Sequence, residues 1–345
     1  MTVIPTPDEN TEVLSKTKKT SKKKKILIVL AIILIFCIAL VSSFFIMVKL
    51  GEIRLKNSLV SAEKLEEDGS QDDFDVVYHD GKKYKYNENL INLLLIGVDQ
   101  DDNESKEFQG QADALYLVSV DKKADKVKII GISRNTMCNF SMIGIDGEAY
   151  STEHGQICLA YAYGNDDIQS SENCVDAVSN LLYGIPINGY YTIHLDAIKT
   201  LVDAVGGVSV TVTENDADTK YYGSKGESIT LDGEAAYSYV QTRGNSNGPR
   251  VERHKKFING FVSSAKRAVA KDLTLPFKLA NKMKEYSVTD IELTSAIYLA
   301  TEALNWKIDF LNIKGEYGIE DGLETYIVDE TELKNMIVGN FYIEK

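Results

Sequence analysis

Residues 92–136 read NLLLIGVDQDDNESKEFQGQADALYLVSVDKKADKVKIIGISRNT, and the fold turns on how they pair. Leu93 to Val98 is an unbroken apolar run, the mark of a strand buried on both faces, and Asp99 stands where that strand ends. Ala114 to Val120 and Val127 to Ile132 are two more strand-type runs, and the polar residues Asp121 to Lys126 between them predict an antiparallel hairpin. Setting Val120 opposite Val127 and keeping that register to the far end brings Asp113 opposite Arg134. A first strand alongside puts Asp99 at the same end, where open α/β sheets take ligands. An Asp–Arg pair that merely closes the hairpin satisfies the same spacing.

Working outward, Ile26 to Val48 is 23 residues without a charge, long enough to cross a bilayer. The 25 residues before it hold seven lysines against Asp8, Glu9 and Glu12, which predicts a cytoplasmic N-terminus and an exported remainder, a single-pass type II arrangement. The expected domains are a disordered tail at 1–25, a transmembrane helix at 26–48, a stalk at 49–75 and a folded domain at 76–345. The tail carries +4 of a chain whose net charge is −13, so the rest carries −17. That charge excludes a nucleic-acid surface, and 25 cytoplasmic residues are too few for a DNA-binding domain. Cys138, Cys158 and Cys174 follow the span, an odd number in a compartment where disulfides form. One bridge is expected, Cys158 with Cys174 or Cys138 with Cys158. No Cys or His spacing suits zinc.

Farther along, Asp80-Gly81 is a type I′ hairpin signal at the domain's edge. Met137 to Glu153 reads as loop, and Gln156 to Tyr163 with Ser171 to Tyr183 as two helices. Tyr190 to Leu195, a helix N-capped by Asp196, and Val208 to Thr213 read as a strand, helix, strand unit. Asp232 caps a helix to about Thr242, and a longer one runs from about Arg250 to Val269. Arg243, Arg250 and Arg253 fall within eleven residues of an otherwise acidic chain, next to a helix N-terminus, a setting that suits phosphate or a set of surface ion pairs. Residues 272–345 read as helices and a strand that complete the sheet and its cover.

LLLIGVD (93–99), ADA (112–114), ISRNT (132–136), LAYAYG (159–164), LVDAVGGV (201–208) and LDGEAA (231–236), followed by Arg243 and Arg250-x-x-Arg253, together resemble the LytR-CpsA-Psr family over roughly residues 90–345. The resemblance implies a three-layer α/β/α sandwich with a mixed central sheet, preceded by one transmembrane helix. It also implies a phosphotransferase of the Gram-positive envelope, moving a glycopolymer from a polyprenyl diphosphate carrier to peptidoglycan. On that reading Asp99 and Asp113 are the Mg²⁺ and arginine-orienting acids, Asp113, Arg134 and Arg243 act in catalysis, and Arg250 and Arg253 join Arg134 and Arg243 on the substrate. The lipid is expected in an apolar tunnel between sheet and helices. Four positions depart from the family pattern: Gln111 and Gln241 replace arginines, and Asn135 and Asn247 replace acids. Gln111 and Gln241 are expected to touch substrate as amides. A non-catalytic envelope protein that binds lipid diphosphate or glycan is the alternative reading.

Overall fold

The structure is a computed structural model that describes residues 49–50, 76–99, 110–216, 223–242, 247–303, 306–320 and 322–345. The expected tail and span, and the stalk beyond residue 50, lie outside the described residues. Among the described residues no helix is long and apolar enough to cross a membrane.

The strands are β1 (Val76–His79), β2 (Lys82–Tyr86), β3 (Leu90–Asp99), β4 (Gln111–Asp121), β5 (Lys126–Ile132), β6 (Met137–Ile143), β7 (Ala149–Gln156), β8 (Tyr190–His194), β9 (Val208–Thr211), β10 (Ser228–Leu231), β11 (Ser287–Thr289), β12 (Lys307–Asn312), β13 (Gly315–Glu320), β14 (Leu323–Val328) and β15 (Tyr342–Glu344). The helices are α1 (Leu159–Ala162), α2 (Asp167–Leu181), α3 (Ala197–Ala204), α4 (Gly233–Gln241), α5 (Asn247–Lys271), α6 (Leu275–Met283), α7 (Leu293–Ala303) and α8 (Glu330–Phe341).

The central sheet has the strand order β11-β8-β3-β4-β5-β12 among the described residues. It is mixed: β3 runs parallel to β8 and β5 to β12, while β3–β4, β4–β5 and β8–β11 are antiparallel. The hairpin register is the expected one, with Val120 opposite Val127 and Leu115 opposite Ile132. Helices cover both faces. On one, Leu94, Ile96, Leu115, Leu117 and Ile130 pack with residues of α1, α2 and α8; on the other, Ile91, Leu93, Val120 and Val127 pack with Tyr298 and Leu299 of α7 and Ile258 of α5. The Asp80-Gly81 turn adopts positive φ at both residues, 49° and 74°, as a type I′ turn requires.

Several expectations change. Met137 to Glu153 is a second hairpin, β6–β7, and the helix expected from Gln156 shrinks to α1, because Gln156 ends β7. The strand, helix, strand reading of 190–213 fails as a sheet unit: β8 joins the central sheet, whereas β9 pairs only with β10 in a separate ribbon. Asp196 does not cap α3; its carboxylate pairs with Lys199 at 3.2 Å. Asp232 does cap α4, accepting from the Ala235 amide. The expected disulfide is absent, and Cys138, Cys158 and Cys174 are buried free thiols. Burial pushes the Cys138 thiol up to about 12. Finally, β3 is not closed on both faces throughout, for Leu95 at its centre is 38% exposed.

Candidate functional site

The hairpin ladder ends at Ile132, and the chain turns through Ser133 to Thr136, whose amide donates to the Ser133 carbonyl at 3.0 Å. Arg134 sits in this turn and forks back over the end of β4. Its Nη1 pairs with Asp113 Oδ1 and its Nη2 donates to Gln111 Oε1. A bulge aims Asp113. Gly97 opposes Ala114 and Val98 opposes Ala112, so Asp113 is the extra residue on β4. Beyond the bulge alternation resets, which is why Ala112 and Leu115, three apart, enter the same core. Gly97 lets the strands approach closely at this point, since a Cβ there would lie 3.1 Å from the Ala114 Cβ and 3.3 Å from Leu195, so both would have to give a little.

Asp113 also faces a second guanidinium, with Arg250 Nη2 3.9 Å from its Oδ2, and both residues are buried. Asp99 opposes Gln111 across the β3–β4 ladder and accepts from Gln241 Nε2 at 3.2 Å. Each of these amides therefore holds a charged member of the site: Gln111 steers Arg134, and Gln241 stands by Asp99. Cys158 closes the back of the site, with its thiol 3.6 Å from Arg134 Nη2. Burial raises its pKa against the pull of Arg134.

Asp99, Gln111, Asp113, Arg134, Gln241 and Arg250 thus meet at one end of the sheet, as expected. Arg243 lies outside the described residues. Arg253 is completely buried, and it donates to the backbone carbonyls of Tyr239, at 3.3 Å, and Thr242 at the end of α4. A cation there satisfies carbonyls at the end of the helix, so these contacts tie α5 to α4.

The partner of Arg250 on the same face of α5 is His254, four residues on, which sequence reading passed over in favour of the Arg250-x-x-Arg253 spacing. Its Nε2 donates to the Val240 carbonyl at 3.0 Å, so its Nδ1 accepts from the Tyr116 hydroxyl. Burial, then the Arg250 charge, lower its pKa to about 4, and the ring is neutral at pH 7. Arg134, Arg250, Asp113, Tyr116, Asn312 and Tyr317 line one cavity of about 520 Å³. A second cavity, of about 570 Å³, has mainly apolar walls built by Phe261, Ala265 and Val269 of α5 with residues of α6, α7 and the β8–β11 edge.

One row of paired residues runs under both. Asn312, Gly131, Tyr116, Leu95, Tyr191 and Thr289 are successive ladder partners across β12, β5, β4, β3, β8 and β11. The first three line the first cavity, the last two line the second, and the exposed Leu95 lies between. Paired residues share a face, so the two cavities open on the same side of the sheet, with Leu95 between them.

A mixed sheet with helices on both faces thus carries a guanidinium cluster at its end and two cavities on one side. The chain belongs to the LytR_cpsA_psr family, whose model matches residues 53–339. It is 28% identical over 253 residues to a polyisoprenyl-teichoic acid--peptidoglycan teichoic acid transferase TagU of Enterococcus faecalis, covering 72% of this chain and 77% of that one. Identity to the corresponding transferase TagV of Bacillus subtilis is 27% over 301 residues, covering 82% and 70%. The crystal structure of B. subtilis TagV superposes with a TM-score of 0.57 at 25% identity, covering 73% of this chain and 96% of that one. The fold is also that of the LytR-CPS2A-psr family protein YwtF (TagT) with bound octaprenyl pyrophosphate lipid, with a TM-score of 0.53 at 21% identity, covering 74% and 91%.

Proposed function

We propose that this chain is a membrane-anchored phosphotransferase that moves a glycopolymer, of the teichoic acid class that its relatives are named for, from a polyprenyl diphosphate carrier to peptidoglycan. The observation that carries the reading is a pair of cavities on one side of the sheet, one walled by Arg134 and Arg250 and the other apolar, both lined by α5. From Arg250 to Phe261, α5 rises about 16 Å, so one rigid element presents cations near its start and an apolar wall farther on. A diphosphate with a long hydrocarbon tail has that shape and that order of chemistry.

In the reaction, an acceptor hydroxyl oxygen attacks the glycan-proximal phosphorus, the bond from that phosphorus to the carrier's phosphate oxygen breaks, and polyprenyl phosphate leaves. Arg134 and Arg250, with Arg243, neutralise the phosphoryl oxygens as charge moves through the transition state. Asp113 accepts from Arg134 and faces Arg250, so its part is to aim them; the hydroxyl proton leaves to it only after those contacts loosen. Asp99 and Asp113 are the hard oxygen donors expected for Mg²⁺. Among the described residues no cluster of three His, Cys, Asp or Glu ligands occurs, and Asp99 and Asp113 are the carboxylates that would hold such an ion. When bound, Mg²⁺ supplies further neutralisation of the diphosphate. The lysine-flanked apolar segment at 26–48 supports a span with the folded domain outside the cell.

The amide contacts of Gln111 and Gln241 favour a second reading, a protein that binds the carrier without transfer, because two cations of the family pattern are missing. Single-turnover transfer from a short-chain lipid diphosphate glycan decides between them: phosphate-linked product supports the transferase, and tight binding with no product supports the binder. Leu95→Trp tests whether the tail passes from one cavity to the other. It should weaken a long polyprenyl carrier about tenfold and leave a short one unchanged, whereas equal effects on both would sink the proposed path of the tail.

A further inference from the structure

The cavity at the end of the sheet has two chemistries. Arg134, Arg250 and Asp113 line it together with Tyr116, Tyr317, Tyr326 and Asn312. Tyr317 and Tyr326 oppose each other across β13–β14 with ring centroids 4.6 Å apart, yet Tyr317 remains 50% exposed. A ring half-buried in a cavity wall offers a ligand an apolar plane beside polar groups.

The hairpin that carries these rings is tied to the turn that carries Arg134. Asn135 Nδ2 donates to Glu324 Oε2 at 3.1 Å, and Gln156 Nε2 donates to the Glu324 carbonyl at 2.6 Å. The Tyr326 amide donates to the Asn135 carbonyl at 2.8 Å. The residue next to Arg134 therefore fixes the spacing between guanidinium and aromatic wall. A ligand engaged by Arg134 meets the rings at a set distance from its phosphate.

We propose that the Tyr317–Tyr326 wall is a pyranose subsite that seats the sugar joined directly to the diphosphate. The proposal rests on the transferase reading for its diphosphate. A pyranose has a face of C–H groups and a rim of hydroxyls; the face suits the exposed Tyr317 ring, and the rim suits the Asn312 and Ser133 side chains that share the cavity. The sugar is the donor's because the anion and aromatic walls belong to one cavity, and the donor carries both groups on one molecule.

The test uses the detergent-solubilised full chain and calorimetric binding of two probes, farnesyl diphosphate and farnesyl-diphospho-N-acetylglucosamine. Tyr317→Ala should weaken the sugar-bearing probe by roughly 3- to 10-fold and leave the sugar-free probe unchanged, while Tyr317→Phe, which keeps the ring, binds both as the native chain does. Equal loss for both probes, or no loss for either, overturns the subsite. Loss confined to a free chito-oligosaccharide, with both diphosphates unaffected, overturns its assignment to the donor. A native chain that binds neither diphosphate overturns the transferase reading as well; one that binds them with no dependence on Tyr317 overturns this subsite alone.

Discussion

Helices cover both faces of the central sheet, yet at the middle of β3 two adjacent residues end in opposite states. Leu94 is fully buried among Ile96, Leu117 and the helices of its face; Leu95, the next residue, points to the other side and is 38% exposed. The face of Leu94 interlocks large aliphatic side chains from strand to strand. Partner volume does not separate the two residues: the ladder partners of Leu94 are Leu117 and Tyr190, and those of Leu95 are Tyr116 and Tyr191. An apolar strand residue is thus buried only where a neighbouring element covers it.

The largest contrast is in stability. Leu94→Ala should cost about 2–5 kcal/mol of unfolding free energy, and Leu95→Ala about 1 kcal/mol or less, both read from urea midpoints. Equal costs would mean that Leu95 is covered in solution. In binding, Arg134→Ala should cost on the order of 2–5 kcal/mol toward a lipid diphosphate, measured by calorimetry, because removing it also leaves Asp113 with one cation fewer.

The α5 side of the sheet also carries a pH dependence, at His254. His254 has a folded pKa of about 4, below the ordinary value near 6.5, so the unfolded chain binds more protons between those values. Its contribution to stability is complete above about pH 6.5 and declines as pH falls toward 4, by up to roughly 3 kcal/mol. The groups that face it are Arg250 and Arg253 from α5 and Tyr116 from β4. Urea titrations of the native chain and of His254→Gln across that range should differ in slope; parallel curves would place the sensitivity elsewhere. The smallest effect belongs to Gln111→Ala, about 0.5–1.5 kcal/mol of diphosphate affinity, since it removes one neutral hydrogen-bond acceptor from Arg134. A loss as large as that of Arg134→Ala would mean that Gln111 contacts the ligand directly.

Hairpin and register were legible because the polar break at Asp121 to Lys126 fixes the turn, and the pairing of Asp113 with Arg134 followed from it. The bulge was not legible, since Gln111 to Leu115 carries no residue that demands one; only the requirement that Ala112 and Leu115 share a core reveals it. Tyr116 and His254 were missed because each looks like an ordinary core residue until α5 is set against β4. The packing of Arg253 was not legible either: a guanidinium in an acidic chain suggests a ligand, and the carbonyls it meets belong to a helix end formed more than ten residues earlier. The expected disulfide failed because three cysteines in one subdomain specify proximity and not the geometry of a bond.

The row of ladder partners through Leu95 bears on turnover. If a polyprenyl carrier lies along it, the spent carrier lies there equally well, because transfer changes the phosphate end and leaves the hydrocarbon untouched. Hydrocarbon contact then holds substrate and product alike and does nothing for the chemical step. What separates them is one phosphate fewer against Arg134 and Arg250. Release of polyprenyl phosphate would therefore limit steady-state cycles, and a first-turnover burst followed by a slower rate, the slow phase lengthening with carrier chain length, is the kinetic form that tail contact along this row imposes.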